Sequence, residues 1–138
     1  MPNAFVDTNI LVYAAEETDP LPPKSRTARD LLLQRGLFLS VQVLNEFVAN
    51  ARHPDKLDLS PAEEQDWIRQ WMLFRILPLT TETFVRALEI HLRYGLSHWD
   101  SLIVGSANAA DCELLYSEDL SHGQTYGGTR VVNPFVHD

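Results

Sequence analysis

A chain of 138 residues, 45% hydrophobic and 22% charged, fits one soluble globular domain, which at this size buries about two-thirds of its unfolded surface without staples. Its one cysteine, Cys112, excludes an internal disulfide and suggests a small core residue in a reducing compartment. With no apolar run near the ~18 residues of a membrane span and no basic-then-apolar leader, the expectation is a cytoplasmic protein with no membrane contact. The formal net charge of −8 excludes long-range nonspecific attraction to nucleic acid, but not nucleic-acid chemistry at an acidic site where divalent cations reverse the local sign.

The chain opens on Ala4-Phe5-Val6-Asp7-Thr8-Asn9-Ile10-Leu11-Val12, where a short apolar strand over 4–7 meets a helix running through Leu11 and Ala15. If that strand is central and parallel, Asp7 is delivered into the crevice where α/β sheets bind ligands. Asp7, Thr8 and Asn9 can each cap the helix, and capping by Thr8 or Asn9 would leave Asp7 free. Pro20, Pro22 and Pro23 impose an extended connection. Ser25 then caps a helix through Ala28, Leu31 and Leu32 that Gly36 ends.

Leu37 to Ser40 reads as a second strand. Val43, Leu44, Phe47, Val48 and Ala51 then recur at helical spacing, with Glu46 in the first half of that helix. His53-Pro54-Asp55 breaks it, leaving a candidate rim loop that includes Lys56. Ser60-Pro61-Ala62-Glu63 is a capping box with proline at the first helical position, opening a helix through Trp67, Ile68 and Trp71. Arg75 to Leu79 is a third strand, Thr80 or Thr81 caps a helix to Tyr94, and Gly95 stops it. Ser97 caps a helix carrying Trp99, Asp100, Leu102, Ile103 and Ala107. A fourth strand at Glu113 to Tyr116 and a fifth at Thr129 to Val132 follow. Strands alternating with helices indicate an α/β fold with a central parallel sheet of four to five strands flanked by helices.

Four carboxylates recur at the joints: Asp7, Glu46, Asp100 and Asp119. Right-handed crossovers gather strand ends of one polarity on one edge, so distant acids can share a crevice. Carboxylates within ~6 Å raise one another's pKa, and Mg2+ or Mn2+ relieves that repulsion through oxygen coordination. Two-metal phosphodiester hydrolysis uses such clusters. Taken singly, an acid such as Glu46 on a helix is more often a solvated surface residue. His98 lacks a second histidine at ligand spacing, which favours a packing or capping role. Trp67 and Trp71, at i and i+4, form a core or partner-facing stripe. Lys24, Arg26 and Arg29 could hold RNA phosphates or form a solvated helix face. A phosphoryl-accepting role for Asp7 is disfavoured, because Asn9 stands where such sites carry a second aspartate. A noncatalytic module holding a structural ion is the third possibility.

The residues Phe5-Val6-Asp7-Thr8-Asn9-Ile10-Leu11, Asn45-Glu46, His98-Trp99-Asp100-Ser101 and Leu115-Tyr116-Ser117-Glu118-Asp119-Leu120 resemble, in order and spacing, the motif series of PIN-domain ribonucleases. The tail from Gly123-Gln124 through Val132-Asn133-Pro134-Phe135 is similar to the ending of VapC-type toxins of toxin–antitoxin pairs. The resemblance implies a single PIN-like domain over 1–138 and a Mg2+- or Mn2+-dependent endoribonuclease that hydrolyses RNA. Asp7, Glu46, Asp100 and Asp119 match its catalytic, metal-holding quartet. Asn9 and Ser117 match supporting polar positions, and Glu118 falls outside the quartet. It further implies a small VapB-like antitoxin, expected to insert an arginine or lysine among the acids. A homodimer is expected from the apolar surface around Trp67 and Trp71. The alternative within the family is a free-standing RNA-processing nuclease.

Overall fold

Ala4, Phe5 and Val6 are all buried, as a strand covered on both faces requires. In a computed structural model that describes residues 2–136, they form β1 (Ala4–Val6). There follow α1 (Thr8–Ala14), α2 (Pro23–Leu31), β2 (Leu37–Ser40), α3 (Val41–Arg52), α4 (Pro61–Trp71), β3 (Arg75–Leu77), α5 (Thr81–Tyr94), α6 (His98–Ala109), β4 (Leu114–Tyr116), β5 (Thr125–Tyr126) and β6 (Thr129–Val132). The sheet order is β3-β2-β1-β4-β6-β5, parallel throughout except for the antiparallel β5–β6 pair. The expected α/β domain with a central parallel sheet is therefore present, one strand wider than the sequence suggested. The extra strand, β5, has two residues and so carries no readable alternation. The β5–β6 turn needs left-handed backbone at Gly127 (φ +57°) and Gly128 (φ +94°). A Cβ at Gly127 would also stand 2.2 Å from Asn108 Oδ1.

Local capping chemistry set most boundaries. Ser60 and Glu63 form the anticipated capping box, and Thr80 and Ser97 cap α5 and α6. Three expectations need correction. Helix α2 starts at Pro23, not after a Ser25 cap: proline is preorganised for the first helical position, and Ser25 is buried within the helix. Strand β3 stops at Leu77 because Pro78 has no N–H to continue the ladder. Strand β1 stops at Val6, one residue short of the expected 4–7, because Asp7, one of the three candidate caps, is the N-cap of α1.

The core joins the sheet to both helix groups through Phe5, Ile10, Leu11, Leu39, Phe47, Ile103 and Leu115, with Cys112 buried at its edge as expected. Trp71 belongs to this core, its ring edge-on to Phe47 at 5.5 Å and stacked on half-buried Trp67 at 5.3 Å. The two tryptophans are thus largely spent within the chain and do not supply the free stripe from which a dimer was expected. Exposed apolar surface lies along α5, at Phe84, Val85, Leu88 and Leu92, and also beside the tryptophans at Leu33, Met72 and Leu73. Because Phe47, on α3, is fully buried and packs edge-on to Trp71 of α4, Phe47→Ala is expected to cost about 3–5 kcal/mol. Urea denaturation measures it; a loss under about 1 kcal/mol would mean the site collapses without a cavity.

Candidate active site

Parallel pairing carries β1, β2 and β4 toward one edge, and the site is built there. The Asp7 N–H continues the β1–β4 ladder to the Tyr116 carbonyl at 3.0 Å, and the Ser117 N–H continues β4–β6 to Val132 at 3.1 Å. Asp7 and Ser117 are thereby set side by side. Ser40, at the end of β2, caps α3 and directs Glu46 along that helix, while Ser97 caps α6 and holds Asp100 in its first turn. Asp119 follows β4. These four acids, from four separate segments, line one cleft of about 500 Å³.

The carboxylates are fastened by neutral donors. Asp7 Oδ1 accepts from the Thr8 N–H, and its Oδ2 accepts from the Ser117 hydroxyl, both at 2.7 Å. Asp7 therefore caps its helix and faces the cleft at once. Ser117 Oγ also accepts from the Asp119 N–H at 3.1 Å. The Asn9 amide donates to Asp119 Oδ2 at 3.1 Å, lies 3.5 Å from both Asp7 Oδ2 and Ser117 Oγ, and accepts from the Glu118 N–H through Oδ1. Both polar residues singled out by the motif resemblance, Asn9 and Ser117, thus touch the acids. Thr8 Oγ1 donates to Glu46 Oε1 at 2.7 Å, and buried Gln42 spans Glu46 and the Trp99 carbonyl. The sequence reading missed Thr8 and Gln42 in these roles; the i, i+4 spacing of Gln42 and Glu46 was the available signal.

Burial pushes the Asp7 carboxyl up to about 7, against the hydrogen bonds from Ser117 and Thr8, and Asp119 and Glu46 add repulsion. Asp100 is also raised, chiefly by burial, with Asp119 and Glu46 again contributing. The donor chemistry fits a hard divalent cation: oxygen ligands only, with carboxylates held in one another's field. Among the described residues no three acidic, histidine or cysteine side chains close to metal-holding spacing. The quartet shares a cleft without forming a tight cage, and Glu46 and Asp119 are turned onto the Thr8 and Asn9 donors.

His98 packs against Phe84 and Trp99, in keeping with a packing role. Glu118 binds the Tyr13 hydroxyl and Lys24; burial alone would raise its carboxyl, but these bonds overcome it and hold it low. Lys24, over the Tyr13 and Phe135 rings, is therefore committed within the chain. Arg29 donates to the Ala14 and Glu16 carbonyls and covers Trp67, so it is structural; Arg26 is exposed.

Fold and cleft together define a class. The PIN domain family model matches residues 4–127, and the chain belongs to that family. Among solved structures, the fold is similar to a toxin–antitoxin complex from Klebsiella pneumoniae, with TM-score 0.74 and 21% identity over 96% of this chain and 98% of that one. It is also similar to VapC20 of Mycobacterium tuberculosis, a sarcin-ricin loop-cleaving toxin (TM-score 0.66, 18% identity, covering 85% and 90%). A third is DNA-bound VapBC from Salmonella typhimurium, with TM-score 0.67 and 19% identity over 95% and 97%. Comparison with curated protein sequences returns no match.

Proposed function

We propose that this chain is a VapC-type endoribonuclease, the toxin of a type II toxin–antitoxin pair, forming one PIN domain over residues 1–138 and hydrolysing RNA phosphodiester bonds with Mg2+ or Mn2+. The carrying observation is the convergence of Asp7, Glu46, Asp100 and Asp119 on one cleft at the carboxyl ends of the parallel strands. In this reading those four residues hold the divalent ion, which when bound supplies Lewis acidity for attack by water on phosphorus. Thr8 and Ser117 fix both Asp7 oxygens, so Asp7 serves as a held ligand and not as a covalent nucleophile. Asn9 ties the β1–α1 joint to the β4 loop and keeps Asp119 in register with Asp7.

Asn9→Ala is accordingly expected to lower Mg2+-supported RNA cleavage by about 10- to 100-fold, the usual cost of losing a residue that orients a ligand. Steady-state kinetics against Mg2+ concentration would show it; unchanged activity removes Asn9 from the site.

The partner in this reading is a small VapB-like antitoxin that places an arginine or lysine among the four acids, pairing with them in a partly desolvated cleft. Relatives in fold include toxins solved in toxin–antitoxin complexes. The toxin self-associates as a homodimer, for which the exposed Val85, Leu88 and Leu92 row of α5 offers apolar surface. We place it in the cytoplasm; among the described residues no helix is long and apolar enough to cross a membrane.

Incubation with a panel of structured RNAs, with Mg2+ or Mn2+ against chelator, tests the activity. Co-purification with the product of the adjacent small open reading frame, followed by size exclusion, tests the partners. Metal-dependent cleavage in a monomer untouched by any neighbouring gene product would favour a free-standing RNA-processing nuclease. Metal binding without cleavage would leave a noncatalytic module.

A further inference from the structure

The corner after α3 carries a lysine that the site described so far does not use. His53-Pro54-Asp55-Lys56 breaks the helix, and the backbone there is fastened: Lys56 N–H donates to the His53 carbonyl at 3.0 Å, Leu57 to Asn50 at 3.2 Å, Asp58 to His53 at 3.2 Å and Leu59 to Ala51 at 2.8 Å. The His53 ring adds a lock, Nδ1 accepting the Asp55 N–H at 3.0 Å. Leu57 and Leu59 pack against the core. A corner so tied fixes the backbone from which the exposed Lys56 side chain projects, and Lys56 lines the wall of the acidic cleft.

Five carboxylates also line that cleft: Asp7, Glu46, Asp100, Glu118 and Asp119. Lys56 forms no ion pair with any of them, whereas the cation across the rim, Lys24, is committed to Glu118. The protein as a whole carries a formal charge of −8, so an entering polyanion is repelled by both the surface and the site. A divalent ion offsets the carboxylates only at the reacting phosphate. A neighbouring phosphate needs a cation of its own, and an ammonium is a compact point charge suited to it.

We infer that Lys56 is a phosphate-binding residue of the cleft, gripping an RNA backbone phosphate that flanks the scissile bond. This rests on the ribonuclease reading above. It predicts that Lys56 acts through charge and without regard to base sequence.

The experiment measures cleavage of single-stranded RNAs by the full chain and its Lys56→Ala and Lys56→Arg variants, and RNA binding by the same set carrying Asp7→Asn, across a potassium chloride series. Lys56→Ala is expected to raise KM and Kd by about tenfold at low salt, equally for unrelated RNA sequences, and to reduce the slope of log K against log salt by about 0.7. Lys56→Arg should restore both. If the wild type cleaves RNA while Lys56→Ala binds within about twofold of it and keeps its salt slope, the inference is overturned and the ribonuclease reading stands. Weaker binding with an unchanged slope and no rescue by arginine also overturns it, showing that the lysine only shapes the corner. A wild type that neither binds nor cleaves any RNA ends both claims.

Discussion

Asp7→Asn is expected to reduce Mg2+-dependent RNA cleavage by roughly 10²- to 10³-fold or more, the scale on which fixed charge at a reacting centre matters. The substitution is nearly isosteric and preserves the local bonding. An asparagine Oδ1 can still accept the Thr8 N–H that opens α1, and its Nδ2 can donate to the Ser117 hydroxyl oxygen that now donates to Asp7. What is lost is charge, together with an anionic oxygen able to hold a cation. Circular dichroism should therefore barely change while turnover collapses. Asp100→Asn should behave alike, since Asp100 is held by the Ser97 cap and not by any contact that requires its charge. Near wild-type turnover in either variant would remove that acid from the catalytic set.

The second large effect is on stability. Burial lifts the Asp7 carboxyl to about 7 in the folded chain from an ordinary value of 3.8. Between those pH values the folded protein keeps a proton that the unfolded chain has released. The resulting contribution is fully present below 3.8 and lost as pH rises through 7, at most about 4 kcal/mol by linkage. Asp100 is raised too and pushes the same way. Metal-free protein should consequently melt at a lower temperature at pH 8 than at pH 5.5. Asp7→Asn should flatten that dependence and stabilise the metal-free form at the higher pH. Divalent ions act on the same repulsion. Mg2+ or Mn2+ at ~100 times its dissociation constant should add about 2.7 kcal/mol, or roughly 10 °C at this chain length, and less in the Asp7→Asn variant. Melting curves indifferent to both pH and divalent ions would mean the acids do not share a charged site.

Much of this chain was legible because the chemistry that ends a helix is local. Ser60 with Glu63, Thr80 and Ser97 satisfy backbone donors within three residues of themselves, so their meaning does not depend on the rest of the fold. Of the four acids, Asp7 and Asp119 follow strands that parallel topology sends to one edge, whereas Glu46 inside α3 and Asp100 in the first turn of α6 were singled out by the motif resemblance. The errors also have local causes. At α2 the proline at the first helical position outweighed a serine two residues on, and at β3 Pro78 ended a ladder that hydropathy alone would have extended.

Division of labour within the joint, by contrast, was settled by partners far away in the chain. Thr8 and Asn9 are as able to cap as Asp7, and nothing in their order says which will do so. The choice follows from Glu46, 38 residues on, which takes the Thr8 hydroxyl, and from Ser117 and Asp119, 110 residues on, which engage Asp7 and Asn9. Lys24 looked like a free cation until the fold set Glu118 beside it, 94 residues away. The sequence by itself determined which groups could donate, accept or carry charge and where the chain would turn. Which of those groups meet was decided by the β1–β4 register and the packing of α1 against α3, because hydrogen bonds and charge pairing act over a few ångströms of space and not along the chain.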